Sequence, residues 1–115
     1  MFVNRNTTTK VVNTAKKPLK QYSFKEMHIA LPSEDYGTDV QAGLEAKGYT
    51  LIADNGSVRT YTGLPGYAYV VLIEQPTTDY LICCQTEHAY VQWMRKYSMV
   101  SHLIEKFLPD NGRER

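Results

Sequence analysis

The clearest pattern of apolar and polar positions lies near the C-terminus of the chain. Large apolar residues recur there at alternating spacings of three and four, at Tyr90, Trp93, Tyr97, Val100, Ile104 and Phe107. This period is that of one helical face, so it predicts an amphipathic helix over 87–108, with a stripe widened by Ala89 and Leu103. Thr86 is the expected N-cap, and Pro109 ends the helix.

Short apolar runs separated by turn residues precede this helix. They predict four strands, at 49–53, 57–62, 67–74 and 80–85. Asp54-Asn55-Gly56 is a strong signal for a hairpin between the first two, because the turn it favours matches the twist of paired strands. The third run is the most apolar and is therefore expected near the centre of the sheet.

Two further elements are predicted in the first half of the chain. Apolar positions alternate over 21–31 but change phase near Glu26, which predicts one strand with a β-bulge. A short helix follows, with Thr38 as its predicted N-cap and Gly48 just beyond its end. Gly43 lies inside this helix and is expected to weaken it by about 1 kcal/mol relative to alanine.

The predicted elements follow the order β-α-β-β-β-β-α. That order predicts an α+β fold, in which an antiparallel sheet of four to five strands is covered on one face by the long C-terminal helix. A chain of 115 residues suits one domain. We expect residues 1–20 to form a flexible basic arm, 21–109 a single α+β domain, and 110–115 a polar tail.

Charge is distributed unevenly along the chain. Residues 1–25 carry six basic side chains and no acidic one, although the net charge of the whole chain is only +1. A basic arm of this kind either contacts nucleic acid or an acidic partner, or serves only to keep the chain soluble. The arm residues that could contact phosphates are Arg5, Lys10, Lys16, Lys17 and Lys20. The rest of the chain is net acidic and would repel a duplex laid across it.

The cysteines and the N-terminal sequence bear on the compartment. Cys83 and Cys84 are adjacent, and neighbouring strand residues point to opposite faces, so no disulfide is expected between them. The first residues lack the apolar stretch of a secretory leader, and no apolar run of 18 residues occurs. We therefore expect a cytoplasmic protein with free thiols and no membrane span.

Few residues are arranged for catalysis or cofactor binding. Cys84 and His88 lie four apart at a predicted strand-to-helix junction, where a base and a helix N-terminus could activate a thiolate. They are the weak catalytic candidates, and the alternative is a buried, inert cysteine beside a surface histidine. The histidines and cysteines have no metal-ligand spacing, and no phosphate-binding glycine motif occurs, so no metal or cofactor is predicted.

Tyrosine is the main candidate for a binding surface, since the chain contains nine of them. Arg59 and Tyr61 are expected to share one face of their strand, as are Tyr67 and Tyr69. If both pairs point away from the long helix, they form an aromatic and basic surface that suits a protein or stacked bases. The alternative is that one tyrosine pair belongs to the core.

Three functions follow from these observations. We favour a small non-enzymatic protein-binding module, monomeric or homodimeric, whose partner is another protein. Motif-poor chains of this size are often accessory or inhibitory proteins of phages and plasmids. The alternatives are a nucleic-acid-binding protein that uses the basic arm, and a small cysteine-dependent enzyme built on Cys84 and His88.

Overall fold

A mixed β-sheet lies between helices that pack on its two faces. The computed structural model describes residues 18–30, 36–63, 67–108 and 113–114. The strands are β1 (Leu19–Lys25), β2 (His28–Ala30), β3 (Thr50–Asp54), β4 (Val58–Thr62), β5 (Tyr69–Glu74), β6 (Asp79–Cys84) and β7 (Arg113–Glu114). The helices are α1 (Val40–Ala46), α2 (Glu87–Val100), a 3-10 turn (Ser101–Leu103) and α3 (Ile104–Phe107).

The predicted α+β class is confirmed, but the sheet is larger than predicted and mixed. Six strands lie in the order β2-β1-β6-β5-β4-β3, and β7 also pairs with β1. β1 and β6 run parallel, in register from Leu19 opposite Asp79 to Phe24 opposite Cys84, whereas the other described pairs are antiparallel. The prediction of four to five antiparallel strands missed this pairing because partners so distant in sequence leave no local pattern.

The predicted strand over 21–31 is instead a hairpin. β1 and β2 are joined by Glu26 and Met27, whose backbone is left-handed with φ of 54° and 71°. Lys25 pairs with His28 across this two-residue turn. Such a turn matches the twist of paired strands but usually contains Asn and Gly. The change of phase near Glu26 therefore marks a turn and not a bulge.

The sheet includes residues from both predicted tails. Leu19 is buried and Lys20 is half-buried in β1, so Lys20 is a strand residue rather than part of a free arm. The other arm candidates lie outside the described residues: Arg5, Lys10, Lys16 and Lys17. At the C-terminal end, Arg113 and Glu114 pair with β1. The described body thus extends beyond the predicted 21–109.

The long C-terminal helix covers one face of the sheet, as predicted. Thr86 is its N-cap, and its side-chain oxygen accepts a hydrogen bond from the amide of Ala89 at 3.0 Å. α2 ends at Val100, however, and a 3-10 turn separates it from α3, so the predicted helix over 87–108 is divided. Beyond this break, Ile104 is still buried in the same core as the residues of α2.

Each face of the sheet carries its own core. The core under α2 includes Tyr22, Phe24, Val71, Ile73, Ile82 and Trp93. The core on the α1 side includes Tyr36, Leu44, Tyr49, Tyr61, Leu72 and Leu81. The sheet face opposite the long helix is thus also covered, by α1 and the tyrosines beside it.

α1 begins one residue later than predicted. Its N-cap is Asp39 and not Thr38, since the Asp39 carboxylate accepts a hydrogen bond from the amide of Ala42 at 3.1 Å. Both types of side chain cap helices, so the sequence did not separate these neighbours. Gly48 follows the helix with a φ of 99°, which is the left-handed conformation predicted for it.

Gly43 lies in α1 against the backbone of Tyr36, where a Cβ atom would overlap the Tyr36 carbonyl oxygen. Gly43→Ala should therefore lower the free energy of unfolding by about 1–3 kcal/mol, although alanine is the better helix former. Urea denaturation measures the change. Glu45→Ala, at an exposed position of the same helix, is the control and should shift stability by less than about 0.5 kcal/mol. A Gly43→Ala variant more stable than the wild type would contradict this close approach.

The β1–β2 turn should respond to a better turn residue. Glu26 is exposed, and a left-handed backbone costs a residue with a Cβ about 1–2 kcal/mol. Because asparagine tolerates this conformation, Glu26→Asn should raise the free energy of unfolding by about 0.5–1 kcal/mol. The measurement is the urea concentration at the midpoint of unfolding. Glu45→Asn, in the right-handed backbone of α1, is the control and should not raise that midpoint. An unchanged or lower midpoint for Glu26→Asn would argue against the left-handed turn.

Candidate functional site

The four residues of the predicted tyrosine surface do not lie together. Tyr61 and Tyr67 are buried in the core on the α1 side, with 1% and 7% of their surface exposed. Tyr69 points to the opposite face and stacks on Tyr90 of α2, with 4.2 Å between the ring centroids. Tyr67 and Tyr69 separate because the chain bends at Ala68, before β5 begins, so strand alternation does not apply to them.

Arg59, the basic member of that predicted surface, is engaged by its own strand neighbours. Its Nη1 donates a hydrogen bond to Oε1 of Glu74 at 2.7 Å, and its Nε lies 3.4 Å from Oδ2 of Asp54. The hydrogen bond to Glu74 raises the pKa of Arg59. Arg59 therefore joins β3, β4 and β5 and is not presented as an isolated cation to a partner.

The Cys84–His88 pair lacks the arrangement of a nucleophile and its base. Cys84 is fully buried in β6, whereas His88 is exposed in the first turn of α2. Burial raises the pKa of the Cys84 thiol to about 12. A thiol in this state is protonated at physiological pH and is a poor nucleophile. Cys83, its neighbour, is also buried and is not part of a disulfide.

Acidic side chains surround a groove of about 250 Å³ at one end of the sheet. Its lining includes Asp39, Glu74 and Asp79. Asp39 caps α1 and Glu74 accepts from Arg59, so two of these carboxylates already serve the fold. Within the part of the chain that the structure describes, no group of three or more ligating side chains could hold a metal ion.

The most distinctive exposed surface lies on the solvent side of the C-terminal helices. We call it the α2–α3 outer surface and define it by six exposed side chains: Arg95, Lys96, Met99, His102, Leu103 and Lys106. At 76%, Met99 is the most exposed large apolar side chain in the described residues, and Leu103 on the same surface is 42% exposed. Met99 lies one helical turn after Arg95 and one turn before Leu103.

A groove adjoins this surface. It has a volume of about 240 Å³ and is lined by Gln75, His102, Leu103, Ile104 and Lys106. The groove lies where a 3-10 turn separates α2 from α3. This turn places His102 and Leu103 beside Gln75, which follows β5. The surface thus combines an exposed apolar side chain, a shallow concavity and positive charge.

Sequence reasoning missed this surface. Leu103 was predicted to widen the buried stripe of one continuous helix, and the structure instead exposes it because the helix is divided before this residue. Met99 did carry a signal. It falls between Arg95 and His102 on the polar side of the predicted helix, where an apolar residue has no core to join.

The edge strand β3 is a second exposed apolar site. All five of its residues are exposed, with Leu51 at 41% and Ile52 at 52%. An exposed edge can accept a further strand from a partner. The register of β3 against β4 shifts between Leu51 and Ala53, however, and such an irregularity interrupts the row of outward backbone groups. β3 is therefore the less suitable binding surface of the two.

Comparison with known proteins leaves the function to be inferred from this geometry. No family model matches the chain, and no curated protein or solved structure matches it. In the described residues, none of the helices has the length and apolar character needed to cross a membrane.

The buried thiols give a direct test of the cysteine-dependent alternative. Because burial holds the pKa of Cys84 at about 12, its ordinary value being 9.0, folded protein should react only slowly with iodoacetamide at neutral pH. Addition of urea should make both cysteines react, which mass spectrometry of the alkylated peptides would show. Rapid alkylation of Cys84 in the folded protein below pH 7 would contradict this burial.

The same pKa sets a pH dependence of stability. A thiol whose pKa is raised in the folded state stabilises the fold at pH values below the pKa that it has in the unfolded chain. That contribution is lost as the pH rises towards about 12. The contribution of Cys84 to the free energy of unfolding should therefore fall between about pH 9 and 12. Cys84→Ala removes this component, so the urea midpoint of the variant should fall less between about pH 9 and 12 than that of the wild-type protein.

Proposed function

We propose that the chain is a small protein-binding module that binds a protein partner through the α2–α3 outer surface. The observation that supports this most is the 76% exposure of Met99, beside a groove and among basic side chains. Methionine is flexible and polarizable, and it is common on surfaces that adapt to partners. Full burial of such a side chain contributes about 1.5–3 kcal/mol, which is enough to make it a binding hot spot.

The size of this surface suits a segment of a partner rather than a large flat interface. Met99 and Leu103 supply the apolar centre, and Arg95, Lys96 and Lys106 form a polar rim around it. This division into an apolar centre and a polar rim is typical of protein interfaces. An accessory or inhibitory protein would need a compact binding surface of this kind.

Further observations bear on the compartment in which the protein acts and on the nucleic-acid-binding and enzyme alternatives. The free, buried Cys83 and Cys84 support action in a reducing compartment such as the cytoplasm. The nucleic-acid alternative depended on basic residues at 1–17, which lie outside the described residues, and on Lys20, which is in β1. Cys84 is buried and the pKa of its thiol is raised, so this residue does not support the enzyme alternative.

A charge introduced at the centre of the surface should abolish binding without affecting the fold. Because Met99 is exposed, Met99→Asp should change the melting temperature by no more than a few degrees. The immobilised variant should no longer retain the partner that the wild-type protein captures from a lysate of the source cells. Leu51→Asp on the β3 edge is the matched control and should retain it. If Leu51→Asp loses the partner and Met99→Asp retains it, the binding site lies on β3 instead.

A further inference from the structure

We infer that the β3–β4 hairpin promotes spontaneous deamidation of Asn55, which converts its side-chain amide to the carboxylate of aspartate or isoaspartate. Asn55 and Gly56 lie between the two strands, and both are exposed to solvent. The main-chain nitrogen that follows an asparagine can attack the side-chain amide carbon, and glycine obstructs this attack least because it has no Cβ. The reaction uses only water and does not depend on the α2–α3 outer surface.

The reaction forms and then opens a cyclic imide. The main-chain nitrogen of Gly56 loses its proton and bonds to Cγ of Asn55, and the bond from Cγ to Nδ2 breaks. Nδ2 takes up a proton and leaves as ammonia. Water then opens the imide: attack at Cγ restores the normal main chain and leaves aspartate, whereas attack at the main-chain carbon of Asn55 leaves isoaspartate.

Asp54 supplies a base at the attacking nitrogen. The N–H of Gly56 donates a hydrogen bond to Oδ1 of Asp54, with 2.8 Å between the two heavy atoms. A general base acts within this distance of the group whose proton it removes. The other carboxylate oxygen of Asp54, Oδ2, lies 3.4 Å from Nε of Arg59. The ion pair thus engages one oxygen and leaves the other directed at Gly56.

Val58 supplies a hydrogen-bond donor at the amide under attack. Its N–H donates to Oδ1 of Asn55 at 2.9 Å. When nitrogen adds to Cγ, negative charge develops on this oxygen, and a donor already in place stabilises that charge. The hairpin fixes Val58 in this position, because its carbonyl oxygen accepts a hydrogen bond from the main-chain N–H of Asn55 at 3.1 Å.

The turn also leaves room for the attack and for the water that follows. Gly56 has a φ of 97°, in the left-handed region that favours glycine. Apart from its chain neighbours, no atom of the described residues lies within 4 Å of the position that a side chain at Gly56 would occupy. Rotation of the main chain at Gly56 is therefore unobstructed on this side.

The chain contains its own reference for the local sequence. The tripeptide Asp54-Asn55-Gly56 occurs a second time, as Asp110-Asn111-Gly112, which lies outside the described residues. In the unfolded chain the two asparagines should deamidate at similar rates, since their immediate neighbours are the same. A faster rate at Asn55 in the folded chain than in the unfolded chain would then come from the geometry of the hairpin.

Mass spectrometry of tryptic peptides tests the inference. The full chain is incubated at neutral pH and physiological temperature, with and without guanidinium chloride, and conversion is followed at Asn55 and Asn111. We expect Asn55 to convert at least about tenfold faster in the folded chain than in guanidinium chloride. If it converts no faster in the folded chain, the hairpin does not promote the reaction and the inference is overturned. This comparison depends on no variant.

Asp54→Asn tests the base. The new side chain can still accept the hydrogen bond from Gly56 but cannot take its proton, so conversion of Asn55 in the folded variant should slow by at least about tenfold. In guanidinium chloride the variant and the wild-type chain should convert alike. Glu74→Gln, which removes the other carboxylate partner of Arg59, is the matched control and should leave the rate unchanged. Equal rates in folded Asp54→Asn and wild type would overturn activation by this carboxylate.

Discussion

The packing of Trp93 against the sheet determines how α2 is oriented. Its ring is fully buried, stacks on Phe24 of β1 at 5.5 Å between centroids, and lies 5.9 Å from the ring of Tyr97. Truncating a buried aromatic side chain to alanine costs about 3–5 kcal/mol, so this contact strongly opposes rotation of the helix about its axis. Because Trp93 faces the sheet, Met99 on the other side of the helix faces solvent.

The central position of β6 in the sheet buries most of its side chains. β6 is paired on both sides, by β1 and β5, and its two faces lie in the two cores, so Cys83 and Cys84 are both buried. The same layering encloses Tyr61 on the α1 side. The residues whose side chains could react or stack are thus largely used in packing, whereas Met99, the most exposed large apolar side chain of the described residues, lies on the outer side of the C-terminal helices.

Local patterns predicted local structure well. The Thr86 N-cap, the Asp54-Asn55-Gly56 hairpin between β3 and β4, and the apolar stripe around Trp93 each depend on residues a few positions apart. The predictions were wrong where one sequence pattern is compatible with two different structures. A change of phase at Glu26 fits a bulge or a turn, and the spacing of Tyr67 and Tyr69 fits a shared face only if a strand spans both.

The sequence by itself determined the α+β class, the amphipathic helix and the strands of the meander, because periodicity and turn residues act through neighbouring positions. Only the tertiary structure decided that β1 pairs in parallel with β6 and that a second core closes the other face. It also buries Gln21 and Ser23, whose side chains have no hydrogen-bond partner in the described residues. These features depend on contacts between segments far apart in the chain, and so does the exposure of Leu103 beside Gln75. Such contacts are set by how the elements fill space together, which no local pattern records.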